Sequence, residues 1–375
     1  MKLIKKKLVF STLFLFFVSF AHVMQGMESV LSKEIPLSAL ASKAVSTEQD
    51  IKTMLPGGWP SKGLHVFPAA GRQVWLDAIN SAKESIQMAA YKLSDEIIVR
   101  AIISIIKEKQ IKVDILIQPE VHKHGQSLNV ESPIDRLRME GVQVYAPSNR
   151  FNQAHYKMII IDGKWGMVST GNLDAETFDG VPTISAAPCR DFAITITNPK
   201  IVEELATVFE ADIADKRISP PISSQLVWGP DNQRSVFLRM INSARKSIRI
   251  YQQDFTDVGI AQAVAGAARS GVKVEVIMMP FPFNKSEDKN TPNQNLIQDA
   301  GGKVYLHTHH YMHAKVMIID AEDAENHLMY IGSCNFYTPS LDQTRELGVL
   351  TADIEQIKQV NTVFEGDLLK VACSK

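Results

Sequence analysis

The chain has 375 residues, 45 % of them apolar and 22 % charged. That balance excludes a disordered chain and leaves room for two domains, or for one body made of two similar halves. The formal net charge of −1 lacks the bulk electrostatics of a nucleic-acid binder, although a local basic groove stays compatible with it.

Lys2, Lys5, Lys6 and Lys7 open the chain, and the apolar run LVFSTLFLFFVSF follows. The run has 13 residues, short of the roughly 20 that cross a bilayer. A basic start before a short apolar run predicts a secretory signal peptide over 1–26, cleaved near Ser19-x-Ala21 or Gly26. Export to the periplasm or the medium follows from it; an uncleaved membrane anchor is the alternative. Loss of the four leader lysines takes the formal charge from −1 to −5. Residues 27–60 read as an N-terminal arm without a core.

From residue 61 the pattern alternates between helix and strand. A helix is predicted over Arg72–Glu84, a strand over Ser85–Tyr91, a helix over Asp95–Lys109 and a β-prone run over Lys112–Ile117. A loop carrying His122 and His124 comes next, then a third helix and strand. His155-Tyr-Lys157 leads into an apolar strand that ends at Asp162. Ser169-Thr170-Gly171-Asn172 follows, then a long loop with its extra length between Asp179 and Cys189. Arg190-Asp191 starts another apolar strand, and a last helix closes the half near residue 218.

A linker at 219–226, built on Ser219-Pro220-Pro221, separates this half from a second one over 227–375. There a helix is predicted over Gln233–Lys246, a strand over Ser247–Tyr251, a helix over Asp257–Ser270 and a β-run over Lys273–Met278. Pro280-Phe281-Pro282-Phe283 could touch lipid chains or pack locally. The run HTHHYMH (307–313) has the look of a metal cluster, but a loop entering a site explains it better, because His313 already belongs to a motif. His313-Ala-Lys315 precedes a strand ending at Asp320, and Gly332-Ser333-Cys334-Asn335 and Arg345-Glu346 follow.

The halves repeat each other. Ile79–Ile86 (INSAKESI) and Ile241–Ile248 (INSARKSI) agree at six of eight positions, 162 residues apart, and Val208–Asp212 (VFEAD) returns as Val363–Asp367 (VFEGD). Alternating elements in two copies indicate an α/β fold. The cysteines are Cys189, Cys334 and Cys373; the odd count leaves at least one thiol unpaired, and a Cys189–Cys334 disulfide stays open. Their spacing fits no zinc site.

Both halves carry H-x-K-x-x-x-x-D running into a strand. Residues two apart on a strand share a face, so His155 sits beside Lys157 and His313 beside Lys315. An ammonium binds a phosphate anion, and an imidazole exchanges its protons or attacks phosphorus. Asp162 and Asp320, at strand ends and opposite parity, suit bracing of the turn. Thr170, Asn172, Ser333 and Asn335 can donate to phosphate oxygens. Asp191 and Glu346 can hold a histidine in one tautomer.

These residues resemble the paired HKD motifs of the phospholipase D superfamily, over about 62–372. The resemblance implies two repeats, each a mixed β-sheet flanked by helices, packed with pseudo-twofold symmetry around one active site. It implies a catalytic set of His155, Lys157, Asp162, His313, Lys315 and Asp320, with no metal and no cofactor. One histidine, His155 by analogy, becomes a phosphohistidine; the other, His313, protonates the leaving alcohol and then activates water. The first sequel departs from the family's Gly-Ser-x-Asn: Thr170 keeps the hydroxyl and Ser169 replaces the glycine. The activity expected first is hydrolysis of a glycerophospholipid head group to phosphatidic acid, by a secreted enzyme at a membrane surface. A nuclease using the same residues on nucleic acid is one alternative, which a basic track along the cleft would favour. Phosphatidyl transfer, as in cardiolipin synthases, is another; those usually carry two N-terminal spans. A non-catalytic binding protein does not fit two intact motifs. A monomer is compatible with both motifs lying in one chain.

Overall fold

The structure is a computed structural model that describes residues 63–118, 132–180, 188–219, 225–282 and 286–373, all within the unit Met54–Lys375. The leader, the arm, His122, His124, Phe283 and most of the 179–189 insertion lie outside the described residues, as do Pro220 to Ser224 of the linker and the side chain of Cys373. Among the described residues no helix is long and apolar enough to cross a membrane.

The first half runs β1 (Leu64–Phe67), α1 (Gln73–Ser81), β2 (Ser85–Ala90), α2 (Glu96–Lys109), β3 (Lys112–Ile117), α3 (Pro133–Met139), β4 (Gln143–Tyr145), β5 (Met158–Ile161), β6 (Trp165–Ser169), α4 (Ala175–Asp179), β7 (Cys189–Ile196) and α5 (Pro199–Ile213). The second half runs β8 (Leu226–Trp228), α6 (Gln233–Ser243), β9 (Ser247–Tyr251), α7 (Val258–Arg269), β10 (Lys273–Met278), α8 (Thr291–Asp299), β11 (Lys303–Leu306), β12 (Tyr311–Met312), β13 (Val316–Ile319), β14 (Leu328–Gly332), α9 (Thr338–Asp342), β15 (Leu347–Thr351) and α10 (Ile354–Cys373).

The sheets repeat strand for strand. One has the order β4-β3-β2-β5-β6-β7-β1, the other β11-β10-β9-β13-β14-β15-β8. Parallel pairs on one side of β2 and β9 give way to antiparallel pairs on the other, so both sheets are mixed. Strands β5 (MIII) and β13 (VMII) are buried at every position, which a sheet covered on both faces requires. The covering is shared between the halves. Leu226, Trp228, Leu347 and Val349 pack into a core of Tyr156, Met158, Ile160 and the apolar face of α5. Leu64 and Phe192 pack reciprocally into the core around Tyr251, Met312 and Phe364.

The repeated octapeptide is a turn fastened by the motif aspartate. Helix α1 ends at Ser81 rather than at the expected Glu84 because Ala82 is already extended. Asp162 then accepts from the backbone N–H groups of Lys83, Glu84 and Ser85, at 2.7 to 3.1 Å. Asp320 does the same for Arg245, Lys246 and Ser247 at 2.7 to 2.8 Å, fully buried. We expect Asp320→Ala to lower the unfolding free energy by about 3 kcal/mol, because three donors lose their acceptor. Urea unfolding followed by circular dichroism measures this, and a cost below about 1 kcal/mol would remove the fastening role.

Helices α2 and α7 are likewise set by equivalent aspartates. Asp95 accepts from the N–H groups of Ile97 and Ile98, and Asp257 from that of Ile260. Arg72 and Arg234 pair with these caps and tie them to Asp179 and Asp342. The strand that each cap follows therefore ends at a fixed height beside the cleft.

Candidate active site

The histidines stand just ahead of β5 and β13, on segments that cross to the other half. The N–H of His155 donates to the carbonyl of Arg345 at 2.9 Å, and the N–H of Arg345 to the carbonyl of Gln153 at 2.9 Å. In the second copy β12 pairs with the start of β7, and the N–H of His313 donates to the carbonyl of Arg190 at 3.3 Å.

The side chains cross in the same way. Nδ1 of His155 lies 3.0 and 3.1 Å from the carboxylate oxygens of Glu346, and Nδ1 of His313 lies 3.0 and 3.1 Å from those of Asp191. Neither half holds a complete His–carboxylate pair; each supplies the acid for the other's base. With Nδ1–H donated to the acid, the lone pair sits on Nε2, the nitrogen left for the cleft. Burial lowers the His155 imidazole to about 4, with Lys157 adding to the effect against the pull of Glu346. Burial lowers His313 as well, opposed by Asp191. Burial works to raise both carboxyls, but their histidine and lysine neighbours hold Asp191 and Glu346 below the usual carboxylate range. At neutral pH the pairs are neutral imidazoles on ionised acids.

Two sequence expectations change here. The hydroxyls of Thr170 and Ser333, expected on phosphate, instead donate to the carboxylates of Asp191 and Glu346. Each returns the bond by accepting from the N–H of the next strand, Phe192 and Leu347. Each sits one residue past its strand and is bonded to β7 or β15, and neither lines the cavity. Asp162 and Asp320, placed in the catalytic set with the histidines, are spent on the turns above and do not line the cavity.

The lysines are buried with the histidines. The ammonium of Lys157 donates to the carbonyl of His155 and lies 5.2 Å from the Tyr91 ring. The ammonium of Lys315 donates to the carbonyl of His313 and sits 3.5 Å from Oε1 of Gln253. Burial, reinforced by Lys315, pushes Lys157 well below its usual value. Burial also lowers Lys315, to about 8, against Asp191 and Glu346. Each ammonium thus gains from an anion brought near it. Asn172 and Asn335 complete the set: Oδ1 of each is buried without a hydrogen-bond partner among the described residues. Orphaned polar atoms at two symmetry-equivalent positions mark where a ligand's groups are needed, and either end of an amide can be presented.

His155, His313, Asn172 and Asn335 line one cavity of about 480 Å³. Its walls break the symmetry that the motifs keep. Tyr91 and Lys92 face Gln253 and Asp254 at the equivalent positions, and Asp174 faces Tyr337. Lys92 pairs with Asp174 at 3.1 Å and Glu176 at 3.2 Å. Among the lining residues carboxylates outnumber ammonium groups: Asp174, Glu176, Asp254 and Glu346 against Lys92.

Other candidates take no part in the constellation, although Cys189 lines the cavity. Among the described residues no group of three or more His, Cys, Asp or Glu side chains is placed to hold a metal. His307, His309 and His310 contact one another, and His307 lies 3.9 Å from Asp367, outside the cavity lining. Cys189 and Cys334 are separate buried thiols, which removes the disulfide left open by the sequence. Burial raises both thiols well above their usual value, which suits inert packing.

Sequence reasoning missed the partners of the two arginines. Arg345 makes two bonds to Asp212, at 2.7 and 2.8 Å, and Arg190 two to Asp367, both 2.8 Å. These aspartates end the repeated VFEAD and VFEGD segments. The repeat was the available signal; the pairing was hidden because each partner lies in the other half.

The family profile described as "Cardiolipin synthase, PLD-like domain" matches residues 75–213 and 237–368. The probable cardiolipin synthase YwiE of Bacillus subtilis (strain 168) is 26 % identical over 356 residues, covering 86 % of this chain and 67 % of the relative. Cardiolipin synthase 2 of Bacillus anthracis is 26 % identical over 328 residues, covering 79 % of this chain and 62 % of its own length. The chain therefore spans about two thirds of these relatives. Among solved structures, the phosphatidylserine synthase of Haemophilus influenzae Rd KW20 superposes with a TM-score of 0.67 at 12 % identity, over 88 % of this chain and 90 % of that one. The polyphosphate kinase of Porphyromonas gingivalis gives 0.60 at 15 % identity, over 81 % and 50 %. Both likenesses are of fold. The relatives displace the expected secreted phospholipase D from first place. With the profile match reaching across both halves and their motifs, the chain belongs to the family of cardiolipin synthase PLD-like domains within the phospholipase D superfamily.

Proposed function

We propose that this chain transfers a phosphatidyl group from a phospholipid to an alcohol, through a phosphohistidine. The observation that carries the proposal is the pair of imidazoles lining one cavity, each hydrogen-bonded to a carboxylate from the opposite half, with two buried lysines next to them in the chain. A phosphodiester anion entering there stabilises the ammonium form of the lysines and favours one extra proton on an imidazole. Nε2 of His155 attacks phosphorus as the P–O bond to the head-group alcohol breaks, and the leaving oxygen takes the proton from Nε2 of His313. His313, now neutral, takes a proton from the acceptor hydroxyl. The acceptor oxygen attacks phosphorus, and the N–P bond breaks. Lys157, Lys315, Asn172 and Asn335 hold the non-bridging oxygens throughout.

Transfer takes precedence over hydrolysis on the strength of the cardiolipin synthase relatives and of walls that carry phenol, carboxylate, ammonium and amide groups suited to an alcohol. Nucleic acid is disfavoured by the charge of those walls, because a polyanion needs a basic track.

The purified chain, incubated with phosphatidylglycerol vesicles in the presence of chelator, is expected to form cardiolipin and free glycerol, detected by mass spectrometry. Phosphatidic acid without cardiolipin would replace transfer by hydrolysis. Cleavage of single-stranded DNA with no lipid product would overturn the lipid substrate.

A further inference from the structure

We propose that Arg190 and Arg345 are positioning residues, each serving the histidine of the opposite half: Arg345 serves His155 and Arg190 serves His313. The inference rests on the two-histidine chemistry above.

Arg345 is fixed at every polar end. Its guanidinium grips Asp212 on α5, reaches Asp231 at 2.7 Å and the Gly229 carbonyl at 3.2 Å, and is 2 % exposed. Tyr156, next to His155 in sequence, donates its hydroxyl to the same Asp212 at 3.1 Å. The Phe151 and Trp228 rings lie 4.5 and 5.4 Å from the guanidinium carbon. The carbonyl of Arg345 takes the N–H of His155, and the next residue, Glu346, takes Nδ1. The imidazole is thus held at its backbone and its ring by two consecutive residues whose anchor is the arginine.

Arg190 repeats the arrangement. It grips Asp367 on α10 and donates to the carbonyl of Phe67 at 2.6 Å, and Tyr251 donates to Asp367 at 2.8 Å. Its carbonyl takes the N–H of His313, and Asp191 takes Nδ1. The clamps share no residue.

A buried ion pair is a poor device for stability alone, since apolar replacements of similar volume often do as well. A planar fork on a carboxylate does fix direction. Two such forks, each one residue ahead of the acid that orients a reacting imidazole, are placed to fix that acid.

The separation of the clamps makes the inference testable. Removing both buried charges together keeps an unpaired ion out of the interior, Asp231 being partly exposed, so the paired variants are Arg345→Met/Asp212→Leu and Arg190→Met/Asp367→Leu. Arg345→Lys and Arg190→Lys, which keep the charge without the fork, are the milder versions. Turnover is measured with phosphatidylglycerol, and the single-turnover burst of p-nitrophenolate with phosphatidyl-p-nitrophenol, whose leaving group departs without a proton so that the burst reports the attack on phosphorus alone. Loosening the Arg190 clamp is expected to cost about 10- to 100-fold with phosphatidylglycerol and under about threefold with the nitrophenyl ester. Loosening the Arg345 clamp, which serves the attacking nitrogen, is expected to cost about 10- to 100-fold with both. The reverse pattern keeps one arginine for one histidine and exchanges the names of nucleophile and acid. A purely structural role would lower the amount of folded protein and leave the ratio of the two substrates unchanged in all variants. That result, or full activity, overturns the inference while the proposed function stands. Failure of the wild-type chain to turn over either ester overturns both.

Discussion

Replacing His155 or His313 with alanine is expected to lower phosphatidyl turnover by about 10⁴-fold or more, and replacing both to cost little beyond the single change. The reason is shared dependence: one imidazole makes the bond to phosphorus and the other moves the proton that lets it form and break. The changes should spare the fold, because each ring is held mainly by one carboxylate and that acid keeps its hydroxyl partner, Thr170 or Ser333. The two single variants differ in what they leave behind. His313→Ala retains the attacking nitrogen, so the nitrophenyl ester should leave a phosphorus adduct on His155, found by peptide mass spectrometry after an alkaline quench. His155→Ala should leave none. Activity within tenfold of wild type in either variant would remove the two-histidine mechanism.

Much of this was legible in the sequence, for physical reasons that differ by element. Lys112–Ile117 and Lys273–Met278 appear as read, because Val113, Ile115 and Ile117, and Val274, Val276 and Ile277, are the β-branched residues that a buried strand favours. Helices α2 and α7 start where Asp95 and Asp257 cap them. Strands β1 and β8 went unread: they are short, and their only signal is a few apolar residues that pair with the distant β7 and β15. Both aspartates of the HKD motifs were visible, and their parity pointed away from substrate, but the donors they bind lie nearly eighty residues earlier. The roles of Thr170 and Ser333 could not be read, since a hydroxyl beside a phosphate site and one beside a carboxylate look alike in one dimension. The crossing of partners was invisible for a deeper reason. A duplication writes the same local signals twice and says nothing about which copy of an acid meets which copy of a base.

That crossing supports the second large effect. Glu346→Gln and Asp191→Asn are each expected to lower turnover by about 10³- to 10⁴-fold, because an amide can offer its NH₂ to Nδ1 and so move the ring proton to Nε2. The pH dependence separates this from simple misplacement. In the wild-type chain kcat/KM should rise through about 4, as His155 loses its proton and Nε2 gains its lone pair. It should fall again as His313 loses the proton it gives the leaving oxygen and, through about 8, as Lys315 loses the charge that meets the phosphate. Burial sets both values low, and the acids oppose burial in both cases, so removing an acid moves the affected limb to lower pH. Glu346→Gln takes away the main group raising His155, and the acid limb shifts down with a smaller shift of the basic limb. Asp191→Asn takes away the largest charge raising Lys315, so its basic limb shifts down further than that of Glu346→Gln, while the limb set by His155 stays in place. Profiles measured on a monomeric short-chain phospholipid from about pH 2.5 to 10, with the fold checked at each pH by circular dichroism, show which limb moves in which variant. Identical profiles in the two variants would mean that the acids act on one shared centre rather than each on the histidine of the other half.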